Sequence, residues 1–372
     1  MTDIHYRVLF NNKSATQEEL DRIKEIAVEQ EVDMAWEARI HILIYADERG
    51  RWTGENEAFM APYSRVRLEV KTGKNGFVPL IDGPVVGFDS HMSSEPGQSS
   101  ITLIVHDDSV YLNRRDDFQQ FENKTDTEIV REIFDQSTHI ASTDIASIPS
   151  NPKMPVVVQK GTPMQVLRVL AKLHGMHAYV LPGKRPGESI GCFKPFPTQT
   201  DGLDPLILMG EKRNISTFSV KNEASRPAMF TASSLSITDK VVITRTASFR
   251  DSTLLGQEPS LEDEGNEALQ ILRNDVDPTA DMDQLVAAQA ANSSYSFEAT
   301  GSVNRCYQNV MQPYRVVTTL GANARLSGDY LISQVTHNLT ESLYSQSFSL
   351  KRNARSGGSQ DNLGDFLAGS IF

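Results

Sequence analysis

The feature that most constrains this chain is an apolar residue at every second position, repeated in stretch after stretch. Ala38, Ile40, Ile42 and Ile44 alternate with Glu37, Arg39 and His41, and only an extended backbone puts such residues on one face. Arg65 to Lys71 repeats the pattern with Val66, Leu68 and Val70 inward, which leaves Arg65 and Arg67 to read as a solvated face. PLIDGPVVGFDS and SSITLIVHD read as a strand pair joined by a long connection around Gly97. Residues 14–30 depart from this rhythm. Ser14 or Thr16 can cap, Glu18 and Glu19 suit a first turn, and Leu20, Ile23, Ala27 and Val28 have helical spacing, so one amphipathic helix is expected there. Residues 1–118 therefore form an antiparallel sheet or barrel with one helix.

The pattern turns mixed over residues 119–210. Thr125-Asp126-Thr127-Glu128 opens a short helix, Thr162-Pro163 opens a second that ends at Gly175, and Met176 to Leu181 reads as a strand. Strands return over 211–353, interrupted at about 250–282 by an acidic irregular stretch in which Leu261, Leu269, Ile271 and Leu272 could support a short helix. Gln284 to Ala291 is helical in composition. Residues 354–372 hold a Gly/Ser-rich linker and an apolar end. The fold class is α+β, mainly β, with two β segments flanking a mixed domain. An internal echo joins the flanks: LIDGPV (80–85) precedes SITL (100–103), and LISQV (331–335) precedes SFSL (347–350).

With 372 residues and 39% hydrophobic content, the chain can fill two or three cores. No apolar run approaches the length of a membrane span, and the N-terminus lacks a basic segment followed by an apolar signal, so a protein made in a cytosol without membrane insertion is expected. A net charge of −12 argues against direct nucleic-acid recognition, which relies on clustered Lys and Arg. Cys192 and Cys306 cannot build a disulfide framework or a four-cysteine zinc site.

The strongest catalytic or metal candidate is His174-Gly175-Met176-His177. His174 falls at a helix C-terminus and His177 on the next strand, with no base or third ligand beside them. His91, His106, His139 and His337 are scattered. Asp107-Asp108 and Glu262-Asp263-Glu264 read as acids that keep turns and loops solvated. No nucleophile elbow or phosphate-binding loop occurs. No catalytic residue, metal site or cofactor is expected.

Three stretches in order carry a family resemblance: Phe121 to Gln136, Val156 to Leu181, and Gly328 to Asn353 with Tyr330, His337 and Leu350. Together they resemble the phage late-control D and tail-hub family, which also forms the first half of VgrG-like type VI secretion spike proteins. This chain differs in lacking the triplet-repeat β-helix of those spikes. The resemblance implies a structural baseplate hub of a contractile injection system, a homotrimer that adapts a sixfold inner tube to a threefold spike. It implies tube-protein-like β-barrels at 1–118 and 211–353. The implied partners are the tube protein, a separate spike protein and other baseplate components, with protein or nucleic-acid cargo passing through the channel. Assembly in the bacterial cytoplasm, as part of a phage tail-like particle or virion that can be released, follows from the same likeness. Phe366, Leu367, Ile371 and Phe372 are expected to dock on the spike or a neighbouring subunit, the alternative being that they fold back on their own domain. Two other functions compete. A carbohydrate-active hydrolase would draw on Trp36 and Trp52, and a shell or binding module would also be β-rich.

Overall fold

The computed structural model describes residues 4–53, 57–73, 76–148, 151–236, 240–261, 268–272, 280–323, 325–341 and 343–355. In the first part lie β1 (Ile4–Phe10), α1 (Gln17–Asp21), β2 (Ile23–Glu31), β3 (Glu37–Leu43), β4 (Arg65–Thr72), β5 (Val78–His91) and β6 (Ser100–His106). The middle holds β7 (Asp117–Lys124), α2 (Asp126–Asp135), β8 (Ile140–Ile145), β9 (Met154–Gly161), α3 (Pro163–His174), β10 (His177–Pro182) and β11 (Ser189–Lys194). The last part contains β12 (Ile215–Asn222), β13 (Met229–Ser236), β14 (Val241–Ser248), β15 (Leu269–Leu272), α4 (Ala280–Ser293), β16 (Phe297–Val303), β17 (Val316–Leu320), β18 (Gly328–Thr340) and β19 (Tyr344–Arg352). Shorter elements are named by residue. The protein is mainly β, and its flanks merge into one large sheet in the order β12-β16-β19-β18-β2-β3-β6-β5-β4-β1, with β17 also paired to β18.

The two flanks repeat one strand order. Setting aside β1 and the separate small sheet of β13, β14 and β15, and numbering the remaining strands along the chain within each flank, both run first, second, fifth, fourth, third: β2-β3-β6-β5-β4 and β12-β16-β19-β18-β17. The agreement extends to single residues. A bulge at Lys24 interrupts β2 against β3, and one at Ser216 interrupts β12 against β16. A second bulge sits at Val86 between β5 and β6, and its counterpart at Ser333 between β18 and β19. Tyr63 and Tyr314 occupy matching places before the third strand, both at positive φ (63° and 61°), a conformation costly for an aromatic residue. Each lies in the motif Met-x-Pro-Tyr-x-x-Val, at Met60 to Val66 and Met311 to Val317. The LIDGPV/LISQV echo thus falls on the equivalent strand pairs. Its register is displaced, because the structure sets Leu331 to Val335 against Pro84 to Phe88.

The helix expected over 14–30 is replaced by one short helix and a strand. Thr16 and Glu19 do form a capping box, but α1 ends at Asp21 and β2 begins at Ile23. The bulge at Lys24 explains the misreading. It lets Ile23, Ile26, Val28 and Gln30 share one buried face, and the resulting spacing of three then two imitates a helical stripe. The segment Leu269–Leu272, expected as a short helix, is an edge strand paired in parallel with β13. The helices of the middle part form as their signals indicate: Thr125 and Thr162 complete capping boxes, and Gly175 closes α3 in the left-handed conformation at φ 63°.

Two further expectations are corrected by burial. Arg65, Arg67 and Glu69 form no solvated face, since β4 is covered on both sides. Val66, Leu68 and Val70 enter the core of the first flank, while the opposite face lies beneath the loop joining β10 to β11. Arg67 donates to Glu69 Oε1 and Asp82 Oδ2, both at 2.7 Å, and to the carbonyl of Arg185. Arg65 bridges Asp82 Oδ1 at 2.6 Å and Asp108 Oδ2 at 2.7 Å, and Ser189 Oγ also donates to Asp108. Arg7 completes the set by pairing with Glu69. Nor do Asp107 and Asp108 solvate a turn: both are buried, and Asp107 accepts the backbone N–H of Trp36 at 2.6 Å. These charges clamp the first flank to the middle part.

Replacing Arg67 by Met should leave Asp82 to Arg65 alone and Glu69 to Arg7 alone, with one buried negative charge in excess, and cost about 3 kcal/mol. Urea unfolding measures it, and a loss below about 1 kcal/mol would show that the clamp is not holding the parts together.

Candidate assembly interface

The two flanks are welded where β2 lies antiparallel to the second half of β18, with Glu31 opposite Gln334 and Glu25 opposite Thr340. The hydrogen bonds continue past the strand end, from Val32 N–H to the Ser333 carbonyl at 2.9 Å. Beside them, the Asp33 N–H donates to Tyr314 Oη at 2.7 Å, and the Tyr314 ring stacks on Tyr179 at 3.6 Å. Within the weld His337 is fully buried. Gln30 Nε2 donates to the Leu80 carbonyl, so its Oε1 faces His337 Nε2 at 3.2 Å. That assigns the ring proton to Nε2 and leaves Nδ1 to accept from Tyr344 Oη at 2.9 Å. With no acid beside it, burial alone pushes the imidazole down to about 3.

The other histidines are also held by protein groups. His174, at the end of α3, has Nε2 at 2.6 Å from Asp126 Oδ2 and Nδ1 beside Gln284 Oε1. His177, at the start of β10, meets Asp33 Oδ1 at 2.9 Å and stacks on Phe196. The pair lies on different elements and does not converge. Among the described residues no group of three or more His, Cys, Asp or Glu side chains could hold a metal ion. Cys192 is buried, which pushes its thiol up to about 12, while Cys306 is exposed. Trp36 is locked in the core of the first flank and Trp52 packs against that core, so they form no aromatic platform for a sugar. Glu262-Asp263-Glu264 and the tail residues Phe366, Leu367, Ile371 and Phe372 lie outside the described residues.

What the surface does offer is exposed β structure. The small sheet β14-β13-β15 packs Phe230 and Ala232 on Met282, Val286 and Ala290 of α4. Its outer face carries Thr231, Ser233 and Leu235, then Val242, Thr244 and Thr246, then Leu269 and Ile271, without a charged residue among them. Phe118, Val156 and Val158 stand exposed on the two-stranded ribbon β7–β9. At the end of the large sheet, β12 pairs with β16 alone. Open edges and uncharged faces of this kind suit association with other chains. No helix among the described residues is long and apolar enough to cross a membrane.

Neither a family profile nor a curated protein matches the sequence. Solved structures do match. A tail protein from Neisseria meningitidis is 12% identical with a TM-score of 0.66, covering 94% of this chain and 96% of its own. The 43 kDa tail protein of prophage MuSo2 from Shewanella oneidensis is 16% identical, with a TM-score of 0.64 over 94% of this chain and 98% of that one. An Escherichia coli type VI secretion component, described as structurally similar to the T4 tail proteins gp27 and gp5, is 11% identical with a TM-score of 0.52, covering 95% of this chain and 77% of its own. At such identities the likeness is one of fold.

The buried histidine gives the weld a pH signature. Above about pH 6.5 His337 is neutral in both states; as pH falls toward 3 the unfolded chain takes up a proton that the folded chain refuses, so stability declines. Asp107, raised to about 6 by burial, acts in the opposite sense, since its contribution is present below about 4 and lost as pH rises through 6. Comparing variant with wild type removes that background. His337→Gln should lose about 1–2 kcal/mol at pH 7 and show a shallower acid decline, by up to about 1.4 kcal/mol per pH unit. Parallel stability curves between pH 4 and 6 would refute the assignment.

Proposed function

We propose that this chain, which has the fold of phage tail and type VI spike proteins, is a structural hub of a contractile injection machine. It joins an inner tube to a separate spike and to other baseplate components, and has no catalytic role. The observation that carries the reading is the repeated strand order within one chain. Three copies present six similar β domains, about residues 1–118 and 211–353 of each, to a sixfold tube and keep a threefold base for the spike. The mixed domain, 119–210, braces each pair from one side. The uncharged sheet faces and the open edges supply contact surface of the kind that multimeric assemblies bury. Against a hydrolase stand the histidines and acids taken up in structural hydrogen bonds and the tryptophans packed in the core.

A complex reconstituted with tube and spike proteins should contain three copies of this chain, as read by native mass spectrometry; one or six copies would reject the threefold hub. The tail residues Phe366, Leu367, Ile371 and Phe372 dock on the spike in this reading. Burial of such side chains offers roughly 5–10 kcal/mol before ordering costs. Truncation after Arg355 should leave trimers that no longer retain spike in a pull-down, whereas unchanged retention would remove the tail from the interface.

A further inference from the structure

The weld between β2 and β18 exists once in the chain, but the repeat supplies the parts for a second. Superposing the flanks by their bulges sets β12 on β2 and β5 on β18. In β18 the first residues pair with the third strand β17. The edge then passes to β2 after the bonds Tyr314 N–H to Ile332 O and Ile332 N–H to Arg315 O. In β5 the first residues likewise pair with the third strand β4, and the equivalent bonds are present, from Tyr63 N–H to Val85 O and from Val85 N–H to Ser64 O. Beyond them, Gly87 to His91 pair only with β6, and no strand among the described residues takes the place that β2 takes in the other flank. The chain's other open edge, β12, is the counterpart of β2.

We infer that β12 of one copy pairs antiparallel with Gly87 to His91 of the next copy, reproducing the internal weld between molecules. This inference rests on the multi-copy assembly proposed above and names the contact that holds it. The equivalence fixes the register: Asn222 lies opposite Phe88, Lys221 opposite Asp89, Val220 opposite Ser90 and Ser219 opposite His91. Three observations beyond the open edges agree with it. Lys221 and Asp89 bring opposite charges directly across from each other, where like charges would repel. Phe88, 53% exposed in the single chain, sits at the position of Val335, which lies opposite Gln30 in the internal weld and is fully buried in the core of the second flank. Tyr63, 46% exposed, is the counterpart of Tyr314, which is 9% exposed, its ring stacked on Tyr179 and packed with Val32 of the turn after β2, whose Asp33 N–H bonds its hydroxyl. In the assembly, the turn after β12, around Ser225, covers Tyr63 in the same way. A contact of this head-to-tail kind, related to its neighbour by the same operation as the internal one, closes into a ring when the rotation does.

Cysteine pairs test the register in the full-length chain, with Cys306→Ser removing the exposed native thiol. Asp89→Cys with Lys221→Cys places the two Cα atoms at a cross-strand separation of roughly 4.5–5.5 Å, within disulfide reach. Asp89→Cys with Thr217→Cys is four residues out of register and beyond it. Mild oxidation should link copies covalently in the first variant and not in the second. Equal linking in both, or none in an assembled ring, overturns the inference. In reversible assembly, Asp89→Lys and Lys221→Asp should each raise the half-assembly concentration about fivefold, and the double reversal should restore it; a double variant as weak as either single one counts against the pair. The two proposals separate by mass. Trimers that hold tube and spike but never cross-link at this pair sink the strand contact and leave the hub. In-register cross-links in an assembly of another size keep the contact and sink the threefold hub.

Discussion

The antiparallel weld between β2 and β18 is the contact on which the rest of this molecule depends. It converts two similar sheets, far apart in sequence, into one, and it places the open edges of that sheet on different flanks. Its interior holds a polar cluster, where His337, Gln30 and Tyr344 satisfy one another across the strand pair. A polar group buried this deeply favours the single register in which its partners are met, since any slip would leave it unsatisfied. The bulges at Lys24 and Ser333 act in the same direction by fixing where each strand changes face.

Much of the fold was legible in the sequence, and the failures share a cause. Alternation at Ala38 to Ile44, and the Thr-led caps of α2 and α3, are local signals with local outcomes, and they appear where expected. Where a bulge broke the period, as at Lys24, the same residues imitated a helix. Where a strand was covered on both faces, the charged side of the alternation looked solvated, and only the tertiary packing of Ser189 and Gly187 shows otherwise. The repeated Met-x-Pro-Tyr-x-x-Val segment was readable without any structure and is a sharper mark of the duplicated architecture than the strand echo. Its tyrosines hold an uncommon backbone conformation at matching points of both flanks.

The ionisable residues are largely spent on architecture. Arg65, Arg67, Glu69, Asp82 and Asp108 neutralise one another beneath a loop, and Asp107 supports the chain at Trp36. A buried network of this sort fixes the angle between the first flank and the middle part more than it adds net stability, because desolvation offsets much of its attraction. For a hub of the kind proposed above, a fixed angle would be the useful property.

The weld also bears on how the chain comes to be folded. Gln30 and His337 are 307 residues apart, so β2 cannot meet its partner until β18 has also left the ribosome. Until then the first flank waits with the outer edge of β2 unpaired, although β3 can already cover the other side. Long-range pairings form late because loop closure precedes any gain from contact. The nascent first flank is therefore the species most exposed to mispairing with a sister chain, and its strand edge is protected during synthesis by the charges of Glu25, Glu29 and Glu31 along β2.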